Sequence, residues 1–340
     1  MKPVRVLVVD DSSFARELIT EILSEDSGIQ VIAQAVNGAD AVKKVQELRP
    51  DIVTMDIDMP IMDGLEAITR IMSSHALPIL VITSRADANT AWHAISKGAL
   101  EVIPKPDVNE ACAAELTRKV RLLAKVKVIS HIRRDPPPRM EILSRPMSLG
   151  NRPEKIVVIA SSTGGPKALS IMLSALPDTF PCPIMIAQHI AADFVSGMVN
   201  WLNKTVALKV KTGTDGESLV PGTVYISPSE KHMRAEFGKR IGFASPQPGD
   251  IYFPSCNILL ASAAEVYGSG CIAVILTGMG DDGISGLRAV KNAGGFTIAQ
   301  DEQTSVIFGM PRAAIENGCA DKVLPIHKIA EELMQRVAGK

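Results

Sequence analysis

The chain has 340 residues, 46% of them hydrophobic and 21% charged, with a formal net charge of −1 at pH 7. That length predicts two domains of roughly 100 to 200 residues each rather than one core. The composition argues against a disordered or fibrous chain, and the balanced charge gives no sign of a nucleic-acid partner. Apolar runs such as Ile79–Thr83 and Cys271–Leu276 are far shorter than the roughly 20 residues a membrane span needs. Met1-Lys2-Pro3-Val4-Arg5 leads into a strand-like run with no signal-peptide pattern, so a cytoplasmic protein is expected. The five cysteines (Cys112, Cys182, Cys256, Cys271, Cys319) are odd in number, widely spaced and without a C-x-x-C pair, which predicts buried reduced thiols.

From residue 4 to about 122, short apolar runs alternate with amphipathic ones. Strands are predicted at Val4–Asp10, Gln30–Ala35, Ile52–Asp56, Ile79–Thr83 and Glu101–Lys105, too apolar to alternate and therefore buried on both faces of a parallel sheet. Phe14, Leu18 and Ile22 form one stripe at helical spacing between the first two. The alternation predicts a doubly wound α/β domain. Residues 124 to 153 break the pattern: Pro136-Pro137-Pro138, Pro146 and Pro153 stand among seven Lys/Arg and only two acidic residues, as in a proline-stiffened linker. The first 123 residues, by contrast, carry 13 basic and 18 acidic groups.

A second α/β unit is predicted from residue 154 to 340, with strands at Lys155–Ala160, Ile184–His189, Thr223–Ser227, Ile272–Gly278 and Phe296–Gln300. Its helices are predicted at Lys167–Ala175, Asp193–Asn203, Asn257–Tyr267 and Ile284–Asn292. The Gly- and Pro-rich stretch 205 to 254 reads as short β segments set between helical units.

Two constellations of polar residues fall at predicted strand ends. Asp10 and Asp11 end the first strand and Asp56 the third, at the carboxyl edge where open α/β sheets carry their ligands. Three clustered carboxylates suit a hard cation such as Mg²⁺. Thr83 and Lys105 end the fourth and fifth strands, adding a hydroxyl and an ammonium, the groups that offset charge on a transferred phosphoryl. A lone Asp at such a place is more often a helix cap; five matching positions on strand ends outweigh that.

In the second unit, the strand Lys155–Ala160 runs into Ser161-Ser162-Thr163-Gly164-Gly165-Pro166. A serine between a strand end and a helix N-terminus exposes its hydroxyl beside backbone N–H groups able to hold an oxyanion. Such turns also cradle phosphates, but neither G-x-x-x-x-G-K-[ST] nor G-x-G-x-x-G is present. His189 closes the neighbouring strand, and Leu276-Thr277-Gly278-Met279-Gly280-Asp281-Asp282 supplies carboxylates; Asp282 could orient the imidazole, with Asp281 taken as an N-cap. His75, His93, His131 and His327 read as structural, and His232 is open to either role.

The segment 8 to 12 (Val-Val-Asp-Asp-Ser), the segment 55 to 64 (Met-Asp-Ile-Asp-Met-Pro-Ile-Met-Asp-Gly) and Pro-Lys-Pro at 104 to 106 resemble the response-regulator receiver family over about 120 residues. The resemblance implies Asp56 as phosphoacceptor, Asp10 and Asp11 binding Mg²⁺ with it, Thr83 and Lys105 contacting the phosphoryl group, a cis Lys105–Pro106 bond, and a histidine kinase as donor. Val102 stands where many receivers have an aromatic switch residue. The three loops of the second unit, with Val-Tyr-Ile-Ser-Pro-Ser-Glu-Lys-His (224 to 232) and Ala-Gln-Asp-Glu-Gln-Thr-Ser-Val-Ile-Phe-Gly-Met-Pro (299 to 311), resemble the catalytic domain of the chemotaxis protein-glutamate methylesterase family, CheB.

That resemblance implies a receiver at 1–123, a linker at 124–153 and a mainly parallel α/β methylesterase domain at 154–340. It implies Ser162 as nucleophile, His189 as base, Asp282 as its orienter, and the backbone N–H of Met279, with Thr163, at the oxyanion. It further implies methylated chemoreceptor cytoplasmic regions as substrate, glutamine deamidation at the same sites, and ester chemistry that uses no cofactor. The unphosphorylated receiver is expected to restrain the esterase. Nothing in the sequence demands more than a monomer. Ala160-Ser161 replaces the family's Gly-Ala before the nucleophile, which makes Ser161 a decoy, and Ile190-Ala191-Ala192-Asp193 replaces Met-Pro-Pro after the histidine. The rival readings are a non-catalytic signalling module and a metallohydrolase built on His189, Asp281 and Asp282.

Overall fold

A computed structural model describes residues 2–84, 88–106, 110–128 and 154–338. The chain divides into two compact units, Met1–Ile132 and Arg133–Lys340. From residue 129 onward the expected linker lies outside the described residues, as does His131.

The first unit holds five strands, β1 (Val4–Val9), β2 (Ile29–Ala35), β3 (Ile52–Met55), β4 (Ile79–Thr83) and β5 (Glu101–Pro104), in the order β2-β1-β3-β4-β5. All four pairings are parallel. The helices are α1 (Ser13–Ser24), α2 (Gly38–Leu48), α3 (Gly64–Ser74), α4 (Ala88–Lys97) and α5 (Glu110–Leu123). Their starts follow from short polar side chains before apolar periodic runs: Ser12 accepts from the Ala15 N–H, Asn37 from Asp40 and Asp63 from Glu66. The central strands are buried on both faces, as their unbroken apolar sequences require. The order of strand addition reverses between β1 and β3, so Asp10 and Asp56 flank the switch point of the sheet.

The second unit carries a seven-stranded sheet in the order β14-β13-β12-β6-β7-β9-β8. Its strands are β6 (Ile156–Ser161), β7 (Ile184–Gln188), β8 (Lys209–Thr212), β9 (Thr223–Ile226), β12 (Cys271–Ile275), β13 (Phe296–Gln300) and β14 (Lys322–Leu324), all paired in parallel. An antiparallel hairpin, β10 (His232–Glu236) with β11 (Arg240–Ala244), stands apart from the sheet. The helices are α6 (Gly165–Ser174), α7 (Ala192–Thr205), α8 (Cys256–Tyr267), α9 (Ile284–Asn292), α10 (Met310–Glu316) and α11 (Ile326–Ala338). One face of the sheet packs on α8, where Leu259, Leu260 and Ala263 meet Val158, Ala160 and Ile275 in a single buried cluster. The hairpin is tied to the same helix by Ala235, whose N–H donates to Ser262 Oγ at 3.0 Å.

Two expectations need correction. The strand predicted to reach Gly278 stops at Ile275, because Thr277 leaves the ladder: its N–H donates to Gln300 Oε1 at 2.8 Å and its hydroxyl to the Thr163 carbonyl at 2.9 Å. Among the described residues the cis peptide bond is Phe253–Pro254, so Lys105–Pro106 is trans.

Candidate active site

The switch point of the large sheet lies between β6 and β12, and β7 is the next strand out. Ser162 follows β6, His189 follows β7 and Asp282 follows β12, so three adjacent strands deliver the three side chains to one carboxyl edge. Ser162 is 9% exposed; its N–H donates to the Thr277 carbonyl at 3.1 Å and its own carbonyl accepts from Gly165 at 2.7 Å, a tight turn from strand into α6. Gly164 opens that helix at φ 76°, a left-handed conformation that disfavours a side chain. At Gly165 a Cβ would lie 2.1 Å from Gln188 Oε1. The paired glycines therefore seat the turn against its own protein neighbours.

His189 Nε2 lies 2.8 Å from Asp282 Oδ2. Asp282 is fully buried, and an ionised carboxylate is tolerated there because four donors surround it. The N–H groups of Cys256 and Asn257, the first two residues of α8, donate at 2.7 and 3.0 Å, and the Ser255 hydroxyl reaches Oδ1 at 3.5 Å. The carboxylate thus sits on a helix N-terminus, where backbone donors and the helix dipole favour negative charge. Burial alone would raise its pKa; the hydrogen bonds from His189 and from the Cys256 and Asn257 backbone outweigh that and hold it below the usual carboxylate value.

Exchange between the helices is reciprocal. Gly283, the N-cap of α9, has no side chain, and Asn257 Oδ1 from α8 accepts the N–H groups of Gly283 and Gly286 at 3.0 and 2.9 Å. Asp281 is not the N-cap it was expected to be. Its Oδ1 accepts from the Tyr252 hydroxyl at 3.1 Å, while the Tyr252 ring stacks on His189 at 5.2 Å and 5°.

A hydrogen bond between Nε2 and a carboxylate makes Nε2 the protonated nitrogen, which leaves the Nδ1 lone pair to accept a proton. Among the described residues the Ser162 hydroxyl makes no hydrogen bond to His189. The His–Asp pair is formed, with the Nδ1 side of the ring left without a described partner. The N–H groups of Thr163 and Met279 are unused by other described residues, so both remain free to donate to an oxyanion.

Ser161 is fully buried, with its hydroxyl donating to Gln188 Oε1 at 2.7 Å, while the Gln188 amide donates to the carbonyls of Ser162 and His189 at 2.9 Å each. That places it behind the turn as a scaffold group. Ser161→Ala is therefore expected to retain turnover and to lose about 1 kcal/mol of stability from the unpaired Gln188 oxygen, read from denaturant unfolding. Tyr252 and Cys256 were not singled out by sequence reasoning, since a lone tyrosine and a lone buried cysteine carry no spacing signal. His232 proves structural: it is fully buried, bonded to Asp250 at 3.0 Å, and accepts the Ser255 N–H at 2.9 Å on Nδ1, which fixes the entry to α8.

In the first unit, Lys105 Nζ bridges Asp10 Oδ2 at 2.7 Å and Asp56 Oδ2 at 2.8 Å. The Ile57 N–H donates to Asp56 Oδ1 at 2.8 Å. Burial raises the Asp56 pKa, the Lys105 hydrogen bond opposes it and the Asp10 charge adds to it, with a net rise. For Lys105, burial acts downward but the bonds to both carboxylates win, and the ammonium is held above its usual value. Asp10, Asp11 and Asp56 each offer an oxygen within 4.8 Å of the others. This all-oxygen donor set fits a hard divalent cation. Thr83 is fully buried with a hydroxyl that has no partner, a donor free for an incoming group.

Two family models match the chain: the response regulator receiver domain over residues 6–116 and the CheB methylesterase over residues 157–333. A relative from Paramagnetospirillum magneticum, named protein-glutamate methylesterase/protein-glutamine glutaminase 3, is 44% identical over 98% of this chain and 96% of its own length. Another from Anaeromyxobacter dehalogenans, named protein-glutamate methylesterase/protein-glutamine glutaminase 2, is 42% identical over 98% of this chain and 97% of its own. Among solved structures, the Thermotoga maritima CheB methylesterase catalytic domain is 45% identical, with a TM-score of 0.52, covering 54% of this chain and 98% of that one. Three strand ends converging at one sheet edge, the matched residues and the full-length relatives lead to one conclusion: the chain belongs to the CheB methylesterase family and carries that family's domain behind a response-regulator receiver.

Proposed function

We propose that this chain hydrolyses glutamyl methyl esters, and deamidates glutamine, on the cytoplasmic regions of chemoreceptors, under control of phosphorylation at Asp56. The observation that carries the reading is the buried Asp282 carboxylate bonded to His189 at 2.8 Å, at the sheet edge that also bears Ser162. Ser162 attacks the γ-carbonyl while His189 Nδ1 takes its proton; the N–H groups of Thr163 and Met279 hold the oxyanion. The proton passes to the departing methoxide, methanol leaves, and water resolves the acyl-enzyme with the same base. An amide follows the same route with ammonia leaving. The reaction draws only on this chain's own side chains and backbone.

In the receiver, Asp10, Asp11 and Asp56 would hold Mg²⁺, which supplies charge neutralisation for phosphoryl transfer from a histidine kinase. Lys105 and Thr83 then contact the phosphoryl oxygens. We assign residues 1–123 to the receiver, 124–153 to the linker and 154–340 to the esterase, in a cytoplasmic monomer. No described helix is long and apolar enough to cross a membrane.

A serine-reactive fluorophosphonate tests the esterase, because only an activated hydroxyl labels: the full chain is expected to be modified at Ser162, and a chain that takes no label overturns the reading. For control, a small-molecule phosphodonor with Mg²⁺ is expected to raise the esterase rate of the full chain. Asp56→Asn, which cannot form the acyl phosphate, is expected to show no rise. Equal stimulation of both proteins would remove Asp56 from the role.

A further inference from the structure

Behind the imidazole lies a thiol that the hydrolysis does not use. Cys256 is fully buried at the start of α8, and its Sγ stands 3.5 Å from His189 Nε2 and 3.6 Å from the Ala187 carbonyl it donates to. With Asp282 Oδ2 these atoms form a group of three potential metal ligands, all within 4.8 Å of one another, delivered by three separate elements. A Zn²⁺ ion bound tetrahedrally to sulfur at about 2.3 Å and imidazole nitrogen at about 2.0–2.1 Å holds the two donors roughly 3.5 Å apart. That is the Cys256–His189 separation in this structure. The same geometry places nitrogen and carboxylate oxygen roughly 3.3 Å apart, so the His189–Asp282 contact has to open by only about half an ångström.

The ligand shell is also oriented. Asp282 is pinned by the Cys256 and Asn257 N–H groups, and Oδ2 keeps a lone pair for the metal once the imidazole proton has left it. The His189 side chain is 14% exposed and provides the approach from solvent. We infer that Cys256, His189 and Asp282 form a capture site for a soft divalent cation of the zinc class, and that filling it reversibly switches off the hydrolase. The switch rests on the esterase reading above; the binding does not.

Binding moves two protons. A cation on Nε2 takes the lone pair there, so the ring proton shifts from Nε2 to Nδ1. Cys256 loses its proton to solvent as sulfur bonds the metal, and one proton is released per ion bound. In the metal-free protein the thiol donates to the Ala187 carbonyl, so it carries the proton that the metal displaces. Nδ1, now protonated, has no lone pair for the serine proton, and the base is lost with every residue in place. Softness separates this site from the receiver: thiolate and imidazole favour zinc-like ions, whereas Asp10, Asp11 and Asp56 offer only hard oxygen donors. Among the described residues no other cysteine belongs to such a cluster.

The test uses the full chain in excess Mg²⁺, titrated with Co²⁺ as a spectroscopic stand-in and with Zn²⁺. A thiolate-to-Co²⁺ charge-transfer absorption is expected to rise to one equivalent, and calorimetry in buffers of different ionisation enthalpy is expected to show one proton released per ion. Hydrolysis of a methylated receptor peptide should fall in parallel and return on chelation. Cys256→Val and Cys256→Ser should abolish the absorption and weaken Zn²⁺ inhibition by at least ~10-fold, each measured against its own metal-free rate. Absence of the absorption, or its persistence in both variants, overturns the site; absorption without loss of hydrolysis overturns the switch. If Ser162→Ala remains active, so that the esterase reading fails, the absorption and proton count still decide the metal site by themselves.

Discussion

Ser162→Ala is expected to slow the release of methanol from a methylated receptor peptide by ~10⁴-fold or more, with substrate binding little changed. The variant removes the hydroxyl proposed to form the acyl bond while leaving the His189–Asp282 pair, at 2.8 Å, undisturbed. What remains is whatever the oxyanion donors and substrate positioning supply to direct attack by water. Ser161 cannot take over, because its hydroxyl is fully buried and committed to Gln188 at 2.7 Å on the inner side of the turn. Mass spectrometry of the peptide reads the reaction directly, since each hydrolysed ester loses one methylene. Turnover in Ser162→Ala within a few-fold of the parent protein would remove Ser162 from the mechanism.

Much of this architecture is legible in the chain because parallel strands buried on both faces must be written in unbroken apolar residues. Ile79–Thr83 and Phe296–Gln300 end where the sequence says they should, and the other major strands agree to within a few residues. The largest disagreement, at the end of β12, arose where apolar Leu276 continues the run but Thr277 turns to serve Gln300 and Thr163, a tertiary demand that no local pattern carries. β8 (Lys209–Thr212) and β14 (Lys322–Leu324) carry no signal of their own, because an edge strand of three or four residues with polar members has too little periodicity to be told from loop.

The polar residues divide in the same way. Ser162, His189 and Asp282 follow three strands, the serine and the aspartate beside glycines, and position in the repeat exposes them. Their supports do not: Tyr252 stacked on the imidazole, Cys256 behind it and Asn257 stapling α9 all lie in or beside one short loop before α8. That loop is brought to the site by the hairpin and by His232, through contacts between residues distant in sequence. The misassignment of Asp281 has the same origin. An aspartate before a helix is ordinarily read as a cap, but here Asn257 from another helix caps α9 and Asp281 is released to Tyr252.

Asp282→Asn is expected to be nearly as damaging as loss of the serine, about 10⁴-fold in turnover, through the tautomer of His189 rather than through its position. The carboxylate accepts on both oxygens: Oδ2 from His189 and the Cys256 N–H, Oδ1 from the Asn257 N–H and the Ser255 hydroxyl. An amide has one acceptor. With its oxygen toward Asn257, its NH₂ faces both His189 and the Cys256 N–H; the ring must then present an acceptor at Nε2 and carry its proton on Nδ1, where a base needs the lone pair. With the amide reversed, the Asn257 N–H is left unpaired at a buried helix start, at about 1–3 kcal/mol.

Stability should change in a matching way. Because the folded-state pKa of Asp282 is held below its ordinary value, its ionised form stabilises the fold fully above about pH 4, and that contribution is lost as pH falls through the folded value. Asp282→Asn should therefore lower the denaturation midpoint at pH 7 while flattening its decline in acid, and nitrogen NMR of the imidazole should show the ring proton moved to Nδ1. Near-normal turnover with the proton still on Nε2 would mean that Asp282 holds α8 in place without setting the state of the base.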